Sequence, residues 1–252
     1  MPSITSQTVL VIGGSSGIGA AVAKLAAAEG CRVSIASSNP TRVANALANL
    51  KAASPKAEIA GYTCDLSHDD VEHRLEKLFS EVTTATGSQL DHIVFTAGMI
   101  DLKPVSELST DFLRSSGHLC LSTPLLIAKI APRFLNDSYN SSIIFTSGQL
   151  AEKPIRGYTI GSTFAAAVYG MARNLALDMA PCRVNVVSPG PTDTELWGSE
   201  EQRAQRREMF RSTALLGKVG TAEEVGEAYI YLMKDSNATG SVVSSNGGSL
   251  IK

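Results

Sequence analysis

Residues 9–19 read VLVIGGSSGIG, and the order of residue types in this stretch decides the fold. Val9 to Ile12 is a short, branched, uncharged run of the kind that forms a strand buried on both faces of a parallel sheet. It runs into Gly13, Gly14, Gly17 and Gly19, and an Ala-rich helical pattern follows from Ala20 to Ala28. Strand, glycine turn and helix in that order make a place to put a phosphate. Glycine allows tight dihedrals and close backbone approach to a ligand. The helix N-terminus offers unpaired N–H groups at the positive end of its dipole. A glycine-rich turn alone says little; its position between the first strand and the first helix gives it meaning.

Composition narrows the class. A chain of 252 residues that is 44% hydrophobic can bury a large core, in one α/β domain or two small ones. A net charge of −2 gives no general attraction to nucleic acid or to an anionic membrane, and neither is expected as a partner. Cys31, Cys64, Cys120 and Cys182 form no C-x-x-C pair and read as reduced, mostly buried thiols of a cytoplasmic protein. No basic segment precedes the first apolar run and none approaches the ~20 residues of a membrane span, so neither a signal peptide nor a membrane anchor is expected. His68, His73, His92 and His118 lack metal-ligand spacing; they read as surface or packing residues, and no metal is expected.

Strand-like and helix-like stretches alternate throughout, without linker or repeat. This predicts one domain over 1–252, an α/β doubly wound parallel sheet with helices on both faces. Expected strands are Val9–Ile12, Arg32–Ser37, Ile59–Thr63, His92–Thr96, Ser142–Thr146, Arg183–Val187 and Ser241–Ser244. Asn39-Pro40 reads as an N-cap with Pro at the first helical position, starting a helix to about Ala52. Ser67 to Asp70 reads as a capping box for a helix over about 69–84. Further helices are expected over about Thr110–Phe134, Tyr158–Met179 and Ala222–Met233, with a charged, mobile lid helix Glu200–Phe210 inside a lid of about 191–215.

The spacing Gly13-x-x-x-Gly17-x-Gly19 resembles the T-G-x-x-x-G-x-G fingerprint of the short-chain dehydrogenase/reductase (SDR) family, with Ile12 in place of Thr. Asp65-Leu66, Thr96-Ala97-Gly98, Pro189-Gly190-Pro-Thr192-Asp-Thr194, Leu216 to Gly220, Thr239-Gly240 and Gly247-Gly248 carry the resemblance along the whole chain. It implies a Rossmann-type domain and a nicotinamide cofactor. The implied contacts are Gly13, Ser15, Ser16, Gly17, Ile18 and Gly19, then Asp65, Leu66, Ala97, Gly98, Pro189, Gly190, Thr192 and Thr194. The end of the second strand selects the cofactor. An NAD site wants a carboxylate there for the ribose 2′-OH. Ser37, Ser38 and Asn39 provide none, and Arg42 can pair with a 2′-phosphate, so NADP(H) is expected; otherwise Arg42 is a solvated helix residue.

The catalytic half departs from the family. Its chemistry rests on Asn, Ser, Tyr and Lys, with Tyr and Lys one helical turn apart. Aligning the A-A-V-x-G pattern on Ala166 to Gly170 puts Lys at Ala165, Tyr at Gly161, Ser at Gly148 and Asn at about Leu119 or Cys120. Losing a positioned general acid typically costs ~10²–10⁴-fold. Ser147 and Tyr158 are the nearest substitutes and the candidate catalytic residues; Thr146, His118 and Asp193 could also reach inward. Chemistry that needs no proton at oxygen survives: hydride transfer to an iminium or an activated alkene, or a non-redox isomerisation or cyclisation. The overall pattern resembles a divergent fungal branch associated with secondary metabolism. The expected function is NADP(H)-dependent reduction of a small molecule. The alternatives are a non-redox isomerase or cyclase and a silent binding protein. Trp197 can stack on a substrate or anchor the lid. Arg203, Arg206, Arg207 and Arg211 read as a solvated lid face or a grip on an anionic substrate. The small residues of helix 158–179 suit a homodimer or homotetramer contact, or tight internal packing.

Overall fold

The computed structural model describes residues 1–98 and 103–252. Seven parallel strands form the central sheet: β1 (Thr8–Ile12), β2 (Arg32–Ser37), β3 (Ile59–Thr63), β4 (His92–Phe95), β5 (Ser142–Thr146), β6 (Arg183–Pro189) and, beyond a short pair described below, β9 (Val242–Ser245). Their order is β3-β2-β1-β4-β5-β6-β9. The chain reverses direction of winding at β1, which pairs Val9 with Val33 on one side and with His92 on the other. In such sheets ligands bind at the carboxyl ends of the strands around that switch point.

Two apolar layers sandwich the sheet. On one face, α1 (Gly17–Ala28), α2 (Pro40–Ala53) and α8 (Ala222–Lys234) pack Val22, Ala26, Leu50 and Tyr229 against Val9, Val11 and Val187. On the other, α3 (Val71–Thr86), α5 (Thr123–Ile130) and α6 (Thr159–Asp178) cover Leu10, Ile93, Phe145 and Val184, with α4 (Thr110–Gly117) leading into α5. β7 (Thr192–Asp193) and β8 (Gly220–Thr221) form a small second sheet that brackets the lid helix α7 (Glu200–Arg211).

Several expected elements are corrected. The helix over Thr110–Phe134 runs unbroken to Arg133 but not uniformly: α4 and α5 are joined by a π-helical turn, His118–Ser122, and a 3₁₀ turn follows at Ala131–Arg133. Pro124 explains the widening. A proline in a helix lacks an N–H and its ring strikes the carbonyl four residues back, here that of Cys120. The wider turn relieves the clash, and Thr123 Oγ1 donates to His118 O at 2.9 Å. The capping box at Ser67–Asp70 does not form. The Ser67 N–H and hydroxyl both donate to Asp65 Oδ1, and Arg74 takes the Asp70 carboxylate at 2.6 Å, so α3 starts at Val71. β6 runs on to Pro189, and the last strand is shifted to Val242–Ser245, because Ser188 and Pro189 pair with Ser244 and Ser245. Asn39 does cap α2, accepting from Arg42 N at 2.9 Å.

Buried polar groups stitch the layers together. Arg183 is 3% exposed, and its guanidinium donates to the carbonyls of Tyr139, Leu232, Met233 and Asp235, closing the C-terminal end of α8. His92 lies inside the sheet between Gln7 Oε1 and Ser142 Oγ. Gln7 Oε1 can only accept, so Nε2 carries the proton and Nδ1 accepts from Ser142. Among the described residues, no helix is long and apolar enough to cross a membrane.

Candidate functional site

The glycine turn is built by close approach. Gly13 sits at φ +94°, and a Cβ there would stand 2.5 Å from Ala97 N. A Cβ on Gly19 would stand 2.3 Å from Gly13 O and 2.5 Å from Thr96 Oγ1. The turn therefore folds onto its own helix and onto the loop after β4, and only hydrogen fits between them. Ser15 Oγ donates to Ser37 Oγ at 2.9 Å, joining the turn to the end of β2. Ser16 is the N-cap of α1 but makes no side-chain cap bond, which leaves the first-turn N–H groups to other acceptors.

One of those N–H groups is taken: Gly17 N donates to Glu195 Oε2 at 2.9 Å. The turn thus accepts an anionic oxygen, and Gly17, at φ +52°, presents no side chain to block it. The pyrophosphate of a dinucleotide fits this donor set. Arg42 is exposed at the start of α2 and, among the described residues, forms no ion pair, so its guanidinium is free to meet an added phosphate. Ser38 and Asn39 are exposed beside it, the Asn39 carbonyl being spent on the cap. Asp65 stands after β3 with its carboxyl held below the usual value by hydrogen bonds from Ser67. Leu66 is buried, and its carbonyl lies 2.9 Å from His118 Nε2. Ala97 and Gly98 follow β4. Pro189, Thr192 and Thr194 are buried, and a Cβ on Gly190 would stand 2.7 Å from Asn246 Cα.

The catalytic candidates are placed less evenly. Ser147 Oγ donates to Ala165 O at 2.8 Å, tying the end of β5 to α6; its proton is committed and its oxygen can still accept. Tyr158 is the N-cap of α6, half-buried, and its hydroxyl has no partner among the described residues. No bond joins the two. Gly148 and Gly161 lie near them in the chain, each with room for a side chain. A Cβ on Gly148 would meet only Pro189 O at 3.9 Å, and one on Gly161 only Leu150 Cδ1 at 3.5 Å. Leu119 and Cys120 fall in the π-helical turn.

The other inward candidates are structural. Thr146 Oγ1 binds Phe95 O and the Tyr229 hydroxyl, both at 2.7 Å, on the α8 side of the sheet. His118 bridges the π-helical turn to the Asp65-Leu66 loop. Asp193 accepts from Arg203 Nε at 2.7 Å and Arg207 Nη1 at 2.6 Å. Burial opposes its ionisation, but the two arginines outweigh that and hold its carboxyl below the usual value. The lid helix is therefore fastened to β7, where a mobile helix was expected. Arg203 and Arg207 also pair with Glu200, and Arg211 with Glu208. Trp197 is 6% exposed against Phe210, with ring centroids 5.5 Å apart: it anchors the lid.

Three features had no signal in the sequence. One is the Glu195–Gly17 contact. Another is a cluster of Tyr169 with Glu152 Oε1 at 2.9 Å and Ser188 Oγ at 2.8 Å. With one proton, Tyr169 donates to the carboxylate and accepts from Ser188. The third is the clasp of the β5–α6 loop by residues 249–252: Lys153 Nζ donates to Ser249 O at 2.6 Å and Lys252 O at 2.9 Å, and Ser249 pairs with Gln149.

The comparisons agree with this architecture. The SDR-like Rossmann domain description matches residues 2–252. A curated relative, the short-chain dehydrogenase/reductase ATR9 of Stachybotrys chlorohalonatus, is 49% identical over the full length of both chains. The solved MalC reductase/Diels-Alderase of Malbranchea aurantiaca superposes with a TM-score of 0.92 at 35% identity, covering 99% of this chain and 98% of that one. A short-chain dehydrogenase of Burkholderia cenocepacia, solved in complex with NADP, gives 0.85 at 25% identity over 98% of this chain and 99% of its own. Glycine turn, sheet order and full-length similarity together show that this chain belongs to the short-chain dehydrogenase/reductase family.

Proposed function

We propose that the chain is an NADP(H)-dependent reductase of a small, secondary-metabolite-like molecule, acting without the family's Tyr–Lys pair. The observation that carries the reading is the phosphate-accepting turn beside an acid-free β2 end. The Gly17 N–H already holds an anionic oxygen, and Ser37, Ser38 and the exposed Arg42 stand at the end of β2, where a 2′-phosphate would lie. A reduced nicotinamide supplies a hydride when bound. The turn, Asp65, Ala97 and the Pro189–Thr194 segment hold the dinucleotide. Gly148, Gly161 and Ala165 stand at the Ser, Tyr and Lys positions and leave room for a bulky acceptor. Ser147 holds α6 in place. The Tyr158 hydroxyl is available to donate a proton or to orient the acceptor. An acceptor that is already cationic, such as an iminium, suits this set because hydride addition neutralises it, and an activated alkene suits it because the anion formed can take its proton from Tyr158 or water.

A second reading is favoured by the likeness to a protein described as a reductase and Diels-Alderase: the same open pocket acts by shape and orientation in a cyclisation. The exposed strip of α6, including Ala166, Gly170 and Leu177, suits a homodimer or homotetramer contact, which light scattering coupled to gel filtration measures.

The test is a fluorescence titration with NADPH and NADH. Saturable NADPH binding, weaker for NADH and weakened by Arg42→Ala, supports the reading. Deuterium transfer from labelled NADPH to a candidate acceptor then separates reduction from cyclisation. Folded protein that binds neither cofactor sinks the reductase reading.

A further inference from the structure

We propose that Glu195 is a built-in competitor for the cofactor, a carboxylate that occupies the phosphate-binding N–H of the glycine turn and is displaced when the dinucleotide enters, releasing the base of the lid. This rests on the NADP(H) reading and adds its regulation.

The contact joins distant parts of the chain. Glu195 Oε2 lies 2.9 Å from Gly17 N, the first residue of α1. Thr194 packs on the same spot: a Cβ on Gly17 would stand 3.2 Å from Thr194 Cβ and 3.7 Å from Glu195 Oε2. A carboxylate on a helix N-terminal N–H makes a charge-assisted hydrogen bond. A pyrophosphate oxygen seeks the same donor for the same reason, and two anions cannot share it. The lid start therefore has two arrangements, one with Glu195 on the turn and one with it expelled.

Displacement has a defined route outward. Glu195 opens the 3₁₀ turn Glu195–Trp197; Trp197 N bonds back to Thr194 O and Gly198 N to Glu195 O. Trp197 is packed on Phe210 of α7, so a shift of the 3₁₀ turn is felt by the lid helix. Asp193, two residues earlier, stays fastened to Arg203 and Arg207, which makes Thr194–Glu195 the pivot. An open groove of about 520 Å³ adjoins the contact, with Gly17, Ala20, Glu195, Arg203 and Glu223 in its walls, and gives the expelled side chain somewhere to go.

The experiment uses the full chain as wild type, Glu195→Gln and Glu195→Ala, with NADPH as the probe. Titration by fluorescence reads affinity, and hydrogen exchange over residues 194–211 reads the lid. Both substitutions remove the competing charge from an exposed side chain, and NADPH binding is expected to tighten roughly ten-fold. Exchange over 194–199, the base of the lid, should rise on NADPH addition to the wild type and be raised beforehand in both variants, while 200–211 stays held through Asp193. Equal or weaker NADPH binding by both variants, or a lid whose exchange ignores NADPH, overturns the competitor while leaving the cofactor reading intact. Failure of all three proteins to bind NADPH removes the cofactor reading and this proposal together.

Discussion

Gly19 and Gly161 are both helical glycines, and the structure assigns them opposite fates. A methyl group on Gly19 would lie 2.3 Å from Gly13 O and 2.5 Å from Thr96 Oγ1. Normal carbon–oxygen contact is about 1 Å longer, so the N-terminus of α1 must back away from the turn or Thr96 must surrender its bond to Ile12 O. Overpacking of this kind costs about 1–3 kcal/mol, and backbone on one side places Gly19→Ala at the upper end. For a chain of this size each kcal/mol is about 2–4 °C, so the melting temperature should fall by roughly 6–12 °C. A methyl on Gly161 meets only Leu150 Cδ1 at 3.5 Å, an ordinary contact. Alanine gains up to about 1 kcal/mol over glycine in a helix interior, so Gly161→Ala should hold or raise the melting temperature by about 2–4 °C. Thermal unfolding followed by far-UV circular dichroism, in one buffer, compares the two. Near-wild-type melting of Gly19→Ala, or a clear loss in Gly161→Ala, refutes the packing argument for the turn and for the open pocket.

Arg183→Met should cost about 3–5 kcal/mol, because the carbonyls of Leu232, Met233 and Asp235 lose a buried donor; urea unfolding should show a lower midpoint with an unchanged slope. Acid should destabilise the fold through His92, whose pKa burial, helped by the Arg183 charge, pushes down to about 3. The unfolded chain takes up that proton near pH 6.5, so this stability is complete above 6.5 and lost toward pH 3, at up to about 1.4 kcal/mol per pH unit. Urea midpoints across that range check it, and His92→Gln should flatten the limb. Asp193→Asn should free the lid helix, seen as faster hydrogen exchange over 200–211. In the wild type the same loosening should appear only in acid, as the pH falls through the lowered Asp193 pKa.

What the sequence makes legible is what local pattern controls. VLVI, RVSIAS and SIIFT are strands because each is short, branched and buried on both faces; Asn39-Pro40 starts α2 because cap and proline act within one turn. The helix expected over Thr110–Phe134 is there, and the π-helical turn inside it follows from Pro124, a residue whose effect is local. The Ser67–Asp70 box failed because Asp65 and Arg74 offered those side chains better partners. The rest depends on distance. Asp193 meets Arg203 and Arg207 only because β7 turns the chain back, and Glu195 meets Gly17 across 178 residues of sequence. In the candidate site, the glycine turn was legible because local backbone geometry builds it; the surroundings of Ser147 and Tyr158 depend on where α6 sits against β5.

The placement of β1 inside a wholly parallel sheet, with a neighbour on each side, has a consequence for how the chain comes off the ribosome. β1 and β2 can meet early, but Val9 finds its second neighbour only when His92 arrives, and β4 in turn waits for Ser142. No adjacent hairpin can nucleate the sheet, since every pairing needs a crossover. Such topologies fold slowly and leave apolar edges open meanwhile. Slow, cool expression should therefore raise the yield of native protein more than any single stabilising substitution.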